Sequence, residues 1–153
     1  MSGTIICYGD SNTYGYDPRS FAGGRYEKNI RWTGILEDRT DWNIRNHGIN
    51  GRGIPHTSSQ IRFACEQVEN WGREEPPVWM MVMLGTNDLL QEPGFTAEDA
   101  AMRMENFLCK LGETEAVKSG LLRLWLISPP CMKRGAWVEE ERICRESEKM
   151  GQE

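Results

Sequence analysis

The sequence has no long apolar segment, and its cysteines lack the spacing of a disulfide framework or a zinc site. Its longest uninterrupted apolar run, Val78–Leu84, is far shorter than the roughly 20 residues that cross a bilayer as a helix. The five cysteines are odd in number and form no C-x-x-C pair, which argues against disulfides and structural zinc. No basic segment with a cleavage site opens the chain, so we expect a cytoplasmic protein with no membrane partner.

An excess of positive charge is also missing. The 18 lysines and arginines are outnumbered by 23 aspartates and glutamates, and the net charge is −5. Such a chain offers no basic field to a phosphate backbone. The six tryptophans are scattered along the sequence rather than arranged as a stacking ladder for single strands. We therefore expect no nucleic acid partner.

What the chain does contain is an alternation of short apolar runs and amphipathic segments within 153 residues, the size of a single domain. The apolar runs predict four strands: Thr4–Gly9, Trp42–Gly48, Val78–Leu84 and Leu121–Ser128. The other segments predict four helices: Arg31–Arg39, one with Pro55 in its first turn and ending near Trp71, one capped by Thr96 and Asp99 and reaching Leu111, and Trp137–Met150. This order predicts an α/β fold, a three-layer α/β/α sandwich with a flavodoxin-like parallel sheet in the order 2-1-3-4.

Three polar loops follow the first three predicted strands: Gly9–Asn12, Asn46–Gly53 and Gly85–Asp88. A parallel sheet brings such loops to one edge, where ligands bind. Ser11 offers a hydroxyl on a strand-to-helix turn, Gly51 a backbone N–H that a substrate can approach, and Asn87 an amide N–H. Each loop taken alone is more typical of ordinary turns and helix caps than of a catalytic site. Their joint occurrence predicts a nucleophile beside an oxyanion hole.

These blocks resemble a known family. Ser11 in G-D-S, Gly51 in N-x-G-x-x-G and Asn87 in G-x-N-D match three of the four signature blocks of the SGNH (GDSL-type) hydrolases, which are esterases and lipases. The stretches RWTG, GINGR and ISPP further resemble the arylesterase-like branch. The resemblance implies that Ser11 is the nucleophile and that the backbones of Ser11 and Gly51 and the side chain of Asn87 hold the oxyanion, with no metal or cofactor. Asn12 departs from the leucine that is usual in the family.

Three further residues are candidates for substrate binding. Asp10 precedes the nucleophile, and a structural role through backbone hydrogen bonds is the alternative for it. Trp32 is a candidate for an acyl or alcohol pocket, as the resemblance suggests, with plain packing as the alternative. Arg52 either faces a polar leaving group or lies in solvent.

The fourth block of the family, an Asp-x-x-His after a fifth strand, is absent. The only histidines are His47 and His56, and Ile44 and Gly53 stand three positions before them. A serine without a base is a poor nucleophile, so we expect weak activity or none from the chain as written. Three explanations stay open: a C-terminal truncation of the sequence, a base from a partner chain, or His47 as a substitute base within the oxyanion loop.

A sheet without a fifth strand leaves the fourth as an open edge. We expect Leu124, Trp125, Leu126 and Trp137 to be partly uncovered, and the chain to form a homo-oligomer or a strand-exchanged dimer.

The main functional prediction is hydrolysis of a small carboxylic ester with a short acyl, O-acetyl or aryl group. Two alternatives stay open at this stage. A flavodoxin-like module would bind phosphate or flavin in the loop after the first strand, and a non-catalytic protein on a hydrolase scaffold would bind its ligand without turnover.

Overall fold

The computed structural model describes residues 3–75, 77–135 and 140–152. The four strands are β1 (Thr4–Gly9), β2 (Asn43–Gly48), β3 (Val78–Met83) and β4 (Leu122–Leu126). They form one parallel sheet in the order β2-β1-β3-β4, which confirms the predicted fold class and strand order.

The carboxyl ends of the three strands that precede the candidate loops lie level with one another. Gly9 at the end of β1 pairs in register with Gly48 of β2 on one side and Met83 of β3 on the other. Every residue of β1 is buried, as expected for a central parallel strand. Since the strands end together, the loops that follow them leave from one edge of the sheet.

Seven helices lie in the described part of the chain: α1 (Ser11–Tyr14), α2 (Trp32–Asp38), α3 (Ser58–Trp71), α4 (Thr86–Gln91), α5 (Ala97–Gly112), α6 (Glu115–Lys118) and α7 (Glu141–Lys149). On one face of the sheet, α3 to α7 enclose the larger core, which includes Phe107, Leu111 and Val68. On the other face α2 covers a smaller cluster around Cys7, where burial raises the pKa of the Cys7 thiol to about 12. The short helices α1, α4 and α6 are not among the four helices that the sequence pattern predicts.

Two capping boxes set the beginnings of the longest helices. Thr96 accepts from the backbone N–H of Asp99, and the Asp99 carboxylate accepts from that of Thr96, as predicted. The same arrangement joins Thr57 and Gln60 at the start of α3. The prediction that Pro55 belongs to the first turn of α3 is therefore wrong, because this cap starts the helix at Ser58.

The edge strand β4 is paired only with β3 among the described residues. Trp125 is 45% exposed and Leu126 is 57% exposed, so the prediction that this strand is partly uncovered is confirmed for these residues. Trp137, part of the same prediction, lies outside the described residues. The helix predicted for Trp137–Met150 is described only as α7, from Glu141. Self-association stays a prediction.

Within the described ranges, none of the helices has the length and hydrophobicity of a membrane-spanning segment.

Candidate active site

The turn after β1 is built by Asp10. Its carboxylate accepts a hydrogen bond of 2.8 Å from the backbone N–H of Asn12 and caps α1, which begins at Ser11. The helix ends after one turn at Gly15, whose φ of 85° is in the left-handed region that suits glycine. Ser11 thus stands half-buried at the first helical position, directly beyond the sheet edge.

Asp10 itself has no exposed surface. Burial raises the pKa of its carboxyl group, the hydrogen bonds from Asn12 lower it, and the nearby charge of Asp88 adds a smaller upward effect. One carboxylate oxygen, Oδ2, has no hydrogen-bond partner in the described ranges. Although Asp10 is a candidate for substrate binding by sequence, the structure places its side chain beneath the turn as a cap, away from the accessible surface.

The loop after β2 turns back toward β1 through Gly51. Gly51 is exposed with φ of 78°, and a Cβ added there would meet no atom within 4 Å. The left-handed backbone conformation, rather than crowding, therefore favours glycine at this position. The N–H of Ile49 donates to the carbonyl of Gly9 over 3.1 Å, which joins this loop to the end of β1.

The side chain of Arg52 binds the same loop to the ends of β1 and β2. Its Nη1 donates to the carbonyl oxygens of Gly9 (3.1 Å) and His47 (2.6 Å), and its guanidinium lies 4.0 Å from the ring centroid of Tyr8. This side chain, a substrate-binding candidate by sequence, is half-buried and bound to the ends of β1 and β2. Its contacts are those of a group that holds two loops together.

Asn87 ties the third loop to the second. It lies in the first turn of α4, is 9% exposed, and donates from Nδ2 to the carbonyl of Arg52 over 3.0 Å. Gln91 lies one turn later and donates from Nε2 to Asn87 Oδ1 (3.4 Å) and to the carbonyl of Gly51 (3.5 Å). The amide of Asn87 is therefore oriented, and among the described residues one of its two Nδ2 hydrogens has no acceptor.

A buried ion pair strengthens this connection. Both carboxylate oxygens of Asp88 accept from the backbone N–H of Ile54, at 3.0 and 3.2 Å, and Arg103 of α5 donates to Oδ1 over 2.8 Å. Arg103 also contacts the more exposed Glu92, 3.0 Å from Nη2 to Oε2. Sequence reasoning assigned Asp88 no role in binding or catalysis and missed Arg103 entirely.

Trp32, the third substrate-binding candidate, begins α2. It is half-buried and packs against the small apolar cluster that contains Cys7 and Ile44. Its indole Nε1 is buried with no hydrogen-bond partner in the described ranges. The structure thus places Trp32 on the face of the sheet that α2 covers.

The two histidines are engaged elsewhere. His47 lies in β2, so its assignment to the oxyanion loop is wrong. Its ring packs edge-on against Trp71 of α3 at a centroid distance of 4.9 Å. Burial, followed by the charges of Arg45 and Arg52, lowers the pKa of His47, against a smaller opposing effect of Glu74. The Nδ1 of His56 lies 2.9 Å from the carbonyl oxygen of Ile54. Neither histidine is hydrogen-bonded to Ser11 among the described contacts.

Three loops therefore meet at one edge, with a hydroxyl, backbone N–H groups and a carboxamide on them. The N–H groups of Ser11 and Gly51 have no hydrogen-bond acceptor in the described part of the chain. Free N–H donors on loops that leave the same sheet edge as a serine are the kind of group that can stabilise negative charge on a carbonyl oxygen. The described residues contain no group of three or more histidine, cysteine or carboxylate side chains that could hold a metal ion.

Comparisons with known proteins give a family from the sequence and the same fold among solved structures. A model of the GDSL-like Lipase/Acylhydrolase family matches residues 7–143. The M. smegmatis aryl esterase structure is 21% identical, with a TM-score of 0.76 over 99% of this chain and 77% of its own.

Est24, a carbohydrate acetylesterase from Sinorhizobium meliloti, is 20% identical with a TM-score of 0.74 over 97% of this chain and 76% of its own. A lipolytic G-D-S-L family member from Veillonella parvula DSM 2008 is 21% identical with a TM-score of 0.58, over 99% of this chain and 69% of its own. No curated protein matches significantly.

Proposed function

Since the chain belongs to the GDSL-like lipase/acylhydrolase family, we propose that it is built for the hydrolysis of carboxylic esters, with Ser11 as the nucleophile. The oxyanion hole consists of the backbone N–H groups of Ser11 and Gly51 and the Nδ2 hydrogen of Asn87 that Arg52 does not use.

One observation carries this proposal. The N–H groups of Ser11 and Gly51 are both without an acceptor in the described ranges. Their loops are joined through the carbonyl of Gly9 and through the bond from Asn87 to Arg52. Unsatisfied donors on adjoining, hydrogen-bonded loops are costly unless water or a ligand accepts from them. A developing oxyanion is the ligand that gains most from them, because such donors need no rearrangement during the reaction.

In the reaction, Ser11 Oγ bonds to the acyl carbon and the carbonyl electron pair moves to the oxygen, where the three donors stabilise it. The C–O bond to the alcohol then breaks, the alcohol leaves with a proton, and water later releases the acid from the acyl-serine. The first step requires a base for the hydroxyl proton. Since His47 packs on Trp71 and His56 contacts Ile54, we propose that residues 1–153 alone react slowly, and that a base from elsewhere gives the full rate.

The substrate class we propose is a small ester with a short acyl group. The similar structures include an aryl esterase and a carbohydrate acetylesterase, so aryl acetates and O-acetylated sugars are the first compounds to test. An aryl acetate is the better initial probe because its leaving group departs without protonation, which removes one of the two demands on the base.

The test supplies the base from solution. Hydrolysis of 4-nitrophenyl acetate is followed with increasing imidazole, for the wild type and for Ser11→Ala under the same conditions. The Ser11→Ala protein measures the direct reaction of imidazole with the ester. Above that background, we expect a hydrolysis rate that rises with imidazole in the wild type. Equal rates for the two proteins at every imidazole concentration would overturn the proposal.

A further inference from the structure

A positively charged cavity lies on the face of the sheet that α2 covers. Its volume is about 250 Å³, and Arg25, Lys28 and Arg31 line it together with Glu37 and Asn46. In a chain with net charge −5, three cations around one small cavity are unexpected. None of them takes part in the proposed ester chemistry.

Two of the cations are held by the end of α1. Arg25 donates from Nε to the carbonyl of Tyr14 over 2.7 Å, and its guanidinium lies 4.3 Å from the Tyr14 ring centroid. The stem of Arg31 fills the space beside Gly15, where an added Cβ would come within 2.4 Å of its Cγ. The Arg25 guanidinium is thus oriented and the stem of Arg31 is packed before any ligand arrives, which lowers the entropic cost of binding.

The charges around the cavity do not balance. Lys28 pairs with Glu37 at 3.0 Å, whereas neither Arg25 nor Arg31 has a carboxylate partner in the described part of the chain. Arg31 Nε is buried and lacks a hydrogen-bond partner there. Loss of solvent and the neighbouring Arg31 charge lower the pKa of Arg25, against a smaller opposing effect of Tyr14. Two like charges held together without a counterion favour binding of an anion.

We propose that this cavity binds a phosphate group, held by the guanidinium groups of Arg25 and Arg31. Three cations and one carboxylate leave a net charge of +2, which matches a dianionic phosphate better than a monoanionic carboxylate. Arginine forks are suited to bidentate contacts with phosphate oxygens. The phosphate is either free inorganic phosphate or the end of a small phosphate monoester.

The experiment measures binding by calorimetry at constant ionic strength, with inorganic phosphate, glycerol 3-phosphate and acetate as probes. The variants are Arg31→Gln and Arg25→Gln, which keep much of each stem. The matched control is Arg62→Gln, an exposed arginine on α3 at the other face of the sheet. A melting curve for each variant verifies folding. The readout does not depend on ester hydrolysis, so the proposed function and the phosphate site can fail separately.

We expect saturable phosphate binding that weakens by about tenfold or more in either cavity variant and changes less than about twofold in Arg62→Gln. Tighter binding of glycerol 3-phosphate than of phosphate would identify a monoester ligand, and equal or weaker binding would identify free phosphate. Absence of binding, equal affinity in Arg31→Gln and wild type, or acetate binding as tightly as phosphate would each overturn the proposal.

Discussion

On the oxyanion side of the candidate site, side chains of α4 bind the loop from Gly51 to Ile54 at three points. On the Ser11 side, Oδ2 of Asp10 is buried without a hydrogen-bond partner in the described ranges, and the hydrogen bonds described around the turn do not include the Ser11 hydroxyl. The two sides thus differ in how completely their polar groups are paired. The Asn87 amide is held by two hydrogen bonds, while the Ser11 hydroxyl proton has no acceptor among the described contacts.

This difference has a physical consequence. Electrostatic stabilisation of a transition state works only if its donors are held in place beforehand, and here hydrogen bonds to Arg52 and Gln91 hold the Asn87 amide. Proton transfer requires a base within hydrogen-bond distance of the hydroxyl, and no histidine of this chain is described there. If the proposed roles hold and no base reaches Ser11, a slow residual rate from the oxyanion donors alone is the expected behaviour.

The largest effect we predict comes from breaking the buried pair on the oxyanion side. Asp88→Ala leaves the N–H of Ile54 without its acceptor and Arg103 with Glu92 as its remaining partner, so unfolding in urea should require about 3 kcal/mol less free energy. Glu92→Ala is the control, because it removes the more exposed partner of the same arginine and should cost about 1 kcal/mol or less. Equal losses in the two variants would show that the loop does not depend on Asp88.

The next effect concerns the reaction and not the fold. Asn87→Ala should slow covalent labelling of Ser11 by an organophosphonate by about 10²–10³-fold, the usual cost of losing one oxyanion donor. Gln91→Ala removes only the long contacts to Asn87 and Gly51 and should slow labelling by less than about tenfold. If Asn87→Ala labels as fast as wild type, its amide does not contribute to the oxyanion hole.

The nucleophile side can be probed through pH. Burial raises the pKa of the Asp10 carboxyl in the folded state, so folding favours the neutral form. The native protein therefore loses stability as the pH rises from the usual aspartate pKa of about 3.9 through the folded-state pKa. Asp10→Asn keeps the cap but cannot ionise. Its unfolding free energy relative to wild type should therefore be higher at pH 8 than at pH 3. If the difference in unfolding free energy between Asp10→Asn and wild type is the same at pH 3 and pH 8, the pKa of Asp10 is not raised by folding.

The smallest effect is expected at His47. Because its ring packs on Trp71 and not beside Ser11, His47→Gln should change the rate of Ser11 labelling by less than about twofold. Liquid chromatography with mass spectrometry of the labelled protein over time would measure this rate. A large drop would restore His47 as a substitute base.

Local and periodic signals predicted much of this architecture. Thr4–Gly9 is apolar and ends in turn residues, and it forms β1 with the predicted bounds. Thr96 and Asp99 form the cap that their spacing indicates. The beginning of α3 was also readable, because Thr57 and Gln60 have capping-box spacing, and the weaker preference of proline for a first turn misplaced it.

The candidate site was predictable only in part. Ser11, Gly51 and Asn87 could be assigned to one edge because parallel strands end together. Arg103 could not be found, because its ion pair with Asp88 joins two helices and leaves no periodic mark in the sequence. The position of the His47 ring was equally hidden, since it depends on which side of β2 faces Trp71, a property set by register rather than by residue type.

The most direct test of the central claim is intact-protein and peptide mass spectrometry after incubation with a fluorophosphonate, with and without imidazole. The account predicts a single adduct on Ser11 that forms slowly, forms faster with imidazole, and is absent from Ser11→Ala. No adduct on Ser11 at any imidazole concentration, or the same adduct in Ser11→Ala, would contradict it.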